Sequence, residues 1–216
     1  DNKPGEEERA DVLMAMRAAL EFHDRQWREG PGEDEGYYIG MNQEPTFDGK
    51  VLPANRLAAM GRSLWLAYIL SGEDVYGEKA LRIGQYLKNR ISFAMDMNAY
   101  TWQYTLQLAE SGLSSPLADL WDSGLRGEDI SHGSLTASFP MILQRDGQIF
   151  TGQDAERFAN TVTELFAREG DGMLYSHVDG MPRDSVNTGL LVLPGRWLRI
   201  APDDPKVYAV LEEFLL

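Results

Sequence analysis

The chain contains no cysteine. That absence excludes disulfides, thiolate metal sites and cysteine nucleophiles together, and it leaves the redox compartment open. Histidine is scarce, with 3 in 216 residues, so any imidazole chemistry rests on His23, His132 or His177. Basic residues are few beside acidic ones: Lys+Arg is 20 against Asp+Glu 34, a formal charge of −14. They are scattered, nowhere denser than "RLAAMGRSLW", and an acidic chain without a segregated basic patch repels nucleic acid and anionic lipid. No stretch approaches the roughly 18 consecutive apolar residues of a membrane span. There is no HExxH, no calcium loop, no GxGxxG, no Walker-type loop and no GxSxG. Zinc, nucleotide binding and an esterase elbow therefore lack support, and neither a metal nor a cofactor is expected. The opening "DNKPGEEERAD" has no initiator Met and no charged leader before an apolar core, and says nothing about secretion.

What is present is an ordinary globular composition, 43% hydrophobic and 25% charged, in a length that suits one domain with a real core. Residues 7–28 place Val12, Leu13, Met16, Leu20 and Trp27 at mostly helical spacing, with acids in the first turn. The spacing predicts an N-terminal helix over 1–30. Residues 31–52 read as a loop with room for a short hairpin, their aromatics Tyr37, Tyr38 and Phe47 serving as packing.

From residue 53 onward an apolar helix is followed by an amphipathic one, three times over. The pairs are "NRLAAMGRSLWLAYILSGED" with "DVYGEKALRIGQYLKNRI", "HGSLTASFPMILQRDGQ" with "FTGQDAERFANTVTELFAREG", and "NTGLLVLPGRWLRIAP" with "DDPKVYAVLEEFLL". Setting Asn55, His132 and Asn187 level brings Trp65, Ile142 and Trp197 level as well. Turns fall together at Ser71-Gly72, Asp146-Gly147 and Ala201-Pro202. Thr151 with Asp154 is close to a capping box, and Asp204-Pro205 reads as an N-cap with proline in the first turn. A helix apolar on nearly all sides must be enclosed, and a ring of hairpins encloses it. The expected fold is therefore all-α: one domain over 1–216, its hairpins over 53–216 forming an (α/α) toroid or an open, incomplete one, with little β structure. Pro140 and Pro194 interrupt two inner helices, which must bend there or begin there. "YTWQYTLQLAE" reads as helix, and "YSHVDG" as a short two-stranded turn.

Of the histidines, His23 reads as a solvated helix residue and His177 as a loop residue. His132 stands at the mouth of an inner helix in "GEDISHGS", and two readings are balanced. In one, Ser131 caps the helix and His132 fills its first turn. In the other, an imidazole whose ordinary pKa is about 6.5 acts as a base, its ring oriented by Glu128 or Asp129. Tyr100, Trp102 and Tyr104 either fill core volume or line a cleft where aromatic faces stack on sugar. Asn55 and Asn187 either cap helices or join His132 on one rim of an apolar ring.

The hairpin pattern, the aromatic "YTWQY" and "EDISHG" leading an inner helix resemble the α/α-toroid carbohydrate-active enzymes, especially polysaccharide lyases and the related uronate epimerases. That resemblance implies a polysaccharide or oligosaccharide substrate rich in uronate, a periplasmic or secreted location, and chemistry by β-elimination. By the same resemblance His132 is the base, Tyr104 the acid, and Asn187 or Asn55 holds the uronate carboxylate. Trp102, Tyr100, His177, Arg183 and Glu128 are then the candidate substrate-binding residues, with Arg126 and Arg196 near them in sequence. Two other readings stand beside it. One is a toroid glycoside hydrolase pairing Glu128 or Asp129 with Asp184; the other is a non-catalytic helical-repeat protein that binds a glycan or a protein.

Overall fold

A computed structural model describes residues 5–41, 48–106, 114–122, 126–166, 175–181, 194–202 and 204–212. Helix α1 spans Glu6–His23 and leaves most of its surface in water. Of its described side chains Leu20 alone is fully buried, with Met16 packed against the core. The helix stops earlier than its apolar spacing suggested, because Trp27 is taken into a strand instead. Strand β1 (Trp27–Glu29) pairs antiparallel with β2 (Gly36–Tyr38), Trp27 opposite Tyr38. The Trp27 ring lies over Gly36, where a Cβ would overlap it. Tyr38 is wholly buried and Tyr37 packs on Tyr86; Phe47 lies outside the described residues.

The core is built on two helical hairpins. Helix α2 (Ala54–Ser71) ends at Gly72 in the left-handed conformation that glycine adopts freely, and α3 (Asp74–Lys88) returns alongside it. After a short helix α4 (Leu117–Asp122), the second hairpin pairs α5 (Ile130–Arg145) with α6 (Gly152–Asn160). Thr151 and Asp154 form a complete capping box at the start of α6. Helix α5 continues across Pro140, so of the two alternatives for that proline the helix does not begin there. Three contacts fix how the two inner helices lie. The backbone N–H of Ala54 donates to the carbonyl of Tyr104, whose ring touches His132; Gly61 faces Phe139; and Trp65 Nε1 donates to Asp146 at 2.6 Å. Their order is the same along both helices, so α2 and α5 run parallel with their N-termini at one end.

The expected all-α toroid is overturned. The fold is mixed α/β, with eight helices and five short strands in two small sheets, 59% helix and 13% strand among the described residues. Strands β3 (Ser92–Ala94) and β4 (Ala99–Thr101) form a hairpin, and β5 (Ser114–Ser115) joins β3 in parallel, giving the order β4-β3-β5. Isolated bridges extend the pairing from Gln103 to Gly127 and from Asp129 to His177. The stretch "YTWQY", expected as helix, is thus strand and extended chain. Of the expected third hairpin the described residues hold α7 (Pro194–Trp197), with Pro194 in its first position, and α8 (Pro205–Glu212), where Asp204 Oδ1 accepts from Lys206 N; the remainder lies outside the described residues. Among the described residues two full hairpins stand beside two small sheets, and no ring of hairpins is formed. Strands of two or three residues carry too little alternation to be read locally, since each exists through partners far along the chain.

Candidate functional site

The site is assembled where three extended segments meet the parallel helix ends. Glu128 N donates to the Trp102 carbonyl at 2.8 Å, Val178 N donates to the Glu128 carbonyl at 2.9 Å, and Ile130 N donates to the Ser176 carbonyl at 3.0 Å. Residues 127–130 are therefore held between the strand end at 101–103 and the turn at 176–180, and lead directly into α5.

Asp129 is the N-cap of that helix, in extended backbone geometry. Its Oδ1 accepts from Ser131 N at 3.0 Å and His132 N at 3.1 Å, and its Oδ2 meets Nδ1 of the His132 ring. The capping role assigned to Ser131 thus belongs to Asp129. Partial burial pushes the Asp129 carboxyl upward, but the hydrogen bonds from the His132 ring and from the backbone outweigh it and hold the group below its ordinary value. An ionised carboxylate only accepts, so Nδ1 is the donor toward it, and in the neutral ring Nε2 carries the lone pair. The imidazole side chain is 44% exposed, with its basic nitrogen fixed by a neighbour.

Tyr104 meets His132 edge to face, ring centroids 5.3 Å apart. The same tyrosine's carbonyl ties down the first turn of α2 at 2.9 Å, which brings Asn55 to this end of the molecule. Asn55 caps nothing: the N-cap of α2 is Pro53, and Asn55 is 8% exposed with its Oδ1 unpartnered. A buried amide acceptor left without a hydrogen bond is costly by about 1–3 kcal/mol. His177 joins the cluster through its backbone bridge to Asp129, with its Nδ1 2.7 Å from Ser176 Oγ. His23, by contrast, ends α1 beside Gln26.

Three other candidates sit in the core. Trp102 is 2% exposed and packs against Phe158 and Trp197. Tyr100 donates its hydroxyl to Asp154, and burial together with that bond pushes its pKa up to about 12. Neither ring offers a free face to a sugar. Glu128 is fully buried; its Oε2 accepts from Trp102 Nε1 at 2.7 Å and Thr136 Oγ1 at 2.6 Å while Oε1 has no partner. Burial raises its pKa to about 7 against the pull of those two donors. Asn187, Arg183 and Asp184 lie outside the described residues. The sequence reading missed Thr136 and Asp179. Asp179 Oδ2 accepts from Gly127 N at 2.7 Å and Oδ1 from Met181 N, holding the turn beside the site. The Asp-Gly pair in "HVDG" was the available signal for that turn; nothing local marks Thr136.

A cavity of about 410 Å³ is lined by Glu33, Asp34, Glu78, Leu81, Arg82, Gln85 and Ile149 and shares no residue with the His132 cluster. Its acidic wall opposes an anionic ligand. Among the described residues no group of three or more His, Asp or Glu is placed to hold a metal ion, and no helix is long and apolar enough to cross a membrane. No family model matches the chain, and no curated protein or solved structure matches it.

Proposed function

We propose that this protein acts on a uronate-containing polysaccharide by β-elimination, with His132 as base and Tyr104 as acid. The observation that carries the reading is the pair itself: a tyrosine ring in edge contact with an imidazole whose Nδ1 is held by an ionised aspartate. A base oriented by a third group, with a proton donor at its side, is the arrangement that general acid–base chemistry needs. His132 Nε2 removes the proton at C5 of the uronate, and the electron pair forms the C4–C5 double bond. The C4–O bond breaks, and the Tyr104 hydroxyl protonates the departing oxygen. Asn55 hydrogen-bonds the uronate carboxylate, where charge accumulates as C5 is deprotonated, so a donor fixed beforehand lowers the barrier.

The paired-carboxylate hydrolase finds less support, since Glu128 is sealed in the core and Asp129 is committed to His132 and the helix amides. The deciding assay incubates the protein with a panel of polyuronates. Elimination releases an unsaturated product that absorbs in the ultraviolet, hydrolysis releases reducing ends without that absorbance, and epimerisation exchanges the C5 proton with solvent without cleaving the chain. His132→Ala is expected to abolish the ultraviolet signal and Tyr104→Phe to reduce it by about 10²-fold or more. Near wild-type turnover in both variants would overturn the mechanism.

A further inference from the structure

The cavity between α3 and the loop that joins β1 to β2 is built by helical spacing. Glu78, Leu81, Arg82 and Gln85 stand at i, i+3, i+4 and i+7, which puts them on one face of α3 over about 10 Å. Glu33 and Asp34 form another wall. Arg82 clamps that wall in place: its Nε donates to the Glu35 carbonyl at 3.2 Å and its Nη2 to the Glu33 carbonyl at 3.0 Å, and its charge is paired with Glu29. Ile149 lines the cavity as well. Its φ of 46° is a left-handed conformation that a β-branched residue adopts only when held. Lys88 Nζ holds it by donating to its carbonyl at 2.8 Å, and its side chain packs on Gly84.

Leu81 and Ile149 give this cavity of about 410 Å³ an apolar lining, and three carboxylates, Glu33, Asp34 and Glu78, stand around it. Each basic side chain of α3 is already spent on another acid: Lys79 on Asp24, Arg82 on Glu29 and Lys88 on Asp154. None of the three cavity carboxylates makes an ion pair among the described residues. A single metal ion does not answer them, because no three acidic or histidine side chains among the described residues are placed to hold one. The charges are spread around an apolar lining, and the complement of that pattern is several positive charges joined by hydrocarbon. Burial of the hydrocarbon and charge pairing at the rim then act together. The volume lies in the range of small-molecule sites.

We propose that this cavity binds a linear aliphatic polyamine, its methylene segments against Leu81 and Ile149 and its ammonium groups paired with Glu78, Glu33 and Asp34. An ammonium group is a compact charge with several donors, which suits carboxylates that come from two different elements. The cavity shares no residue with the His132 cluster, so polyamine binding does not depend on the elimination chemistry.

The test is calorimetric titration at about 50 mM salt with spermidine, 1,4-diaminobutane, magnesium chloride and trilysine. The proteins are wild type, Glu78→Gln, the triple variant Glu33→Gln/Asp34→Asn/Glu78→Gln and, as a control for net charge, Glu7→Gln/Glu8→Gln/Asp11→Asn on α1. Wild type is expected to bind spermidine more tightly than 1,4-diaminobutane. It should bind 1,4-diaminobutane in turn more tightly than magnesium, which carries the same charge without hydrocarbon. Glu78→Gln should weaken spermidine binding about 3-fold and the triple cavity variant about 10-fold or more. The α1 variant, which loses the same three charges from an exposed stretch, should match wild type. Thermal melting without ligand should be no lower in the cavity variants, since like charges are relieved, and spermidine should raise the wild-type Tm more than theirs. Failure of wild type to bind spermidine overturns the proposal. So does an equal loss in the α1 variant, or magnesium binding as tight as that of 1,4-diaminobutane, since either assigns the effect to counter-ions around an acidic chain. Tighter binding of trilysine than of spermidine overturns it in favour of a basic peptide.

Discussion

At the scale of single residues, the Asp129–His132 contact separates catalysis from stability. Asn caps a helix about as well as Asp, so Asp129→Asn should cost roughly 1 kcal/mol or less of folding free energy. Its amide, however, offers a donor toward Nδ1 and so moves the ring proton to Nε2, the nitrogen that must be basic. Turnover should fall by about 10²-fold or more, with thermal melting nearly unchanged; a proportionate loss in both would show that Asp129 serves the helix alone. Glu128 gives a pH signature. Its pKa is raised from 4.5 to about 7, so the folded state binds this proton more tightly than the unfolded chain does. That contribution is complete below the unfolded value and is lost as pH rises through about 7. The rise corresponds to about 3 kcal/mol. Glu128→Gln keeps an oxygen for Trp102 and Thr136 but does not titrate. Its stability relative to wild type should therefore improve by up to about that amount between pH 4.5 and 7.5, measured by denaturant unfolding at each pH.

Among the elements, the parallel packing of α2 on α5 decides that a site exists at all. It requires the two helices to approach closely at Gly61, where a Cβ would overlap the Phe139 ring. Gly61→Ala gains helix propensity of up to about 1 kcal/mol, but overpacking costs about 1–3 kcal/mol, and the clash should win. The variant is expected to melt lower, and Phe139→Leu in the same chain should recover part of the loss by freeing volume. A double-mutant cycle in urea would measure the coupling; simple additivity would mean the crossing is looser than described. The helices of the two full hairpins were legible. Their stops at Gly72 and Gly147 and the capping box at Thr151 and Asp154 are local signals, and each lies where the chain turns. The strands were not, because Ser92–Ala94 pairs with Ala99–Thr101 and Ser114–Ser115, and none of the three is long enough to show alternation.

Across the whole molecule, the β1–β2 hairpin is tied to the helical core by a buried ion pair. Both oxygens of Glu35 lie 3.1 Å from the Arg90 guanidinium, and the two side chains are 5% and 3% exposed. Burial alone would raise the Glu35 carboxyl, but Arg90 and Asn89 hold it below its ordinary value. Arg90→Met leaves that carboxylate without its counter-ion and should destabilise the protein by about 3–5 kcal/mol, read as a lower denaturant midpoint. Wild-type stability from this pair should fall as the medium is acidified below the ordinary carboxylate range, since a depressed pKa stabilises only while the group is ionised. The sequence by itself determined the two full helical hairpins and the capping box that starts α6, because helix periodicity and capping act within a few residues. Only the tertiary structure decided that the fold is mixed rather than a toroid, that Trp102, Tyr100 and Glu128 belong to the core, and that Tyr104 meets His132. Burial and cross-strand pairing depend on partners tens of residues away, and no local pattern encodes which partner arrives.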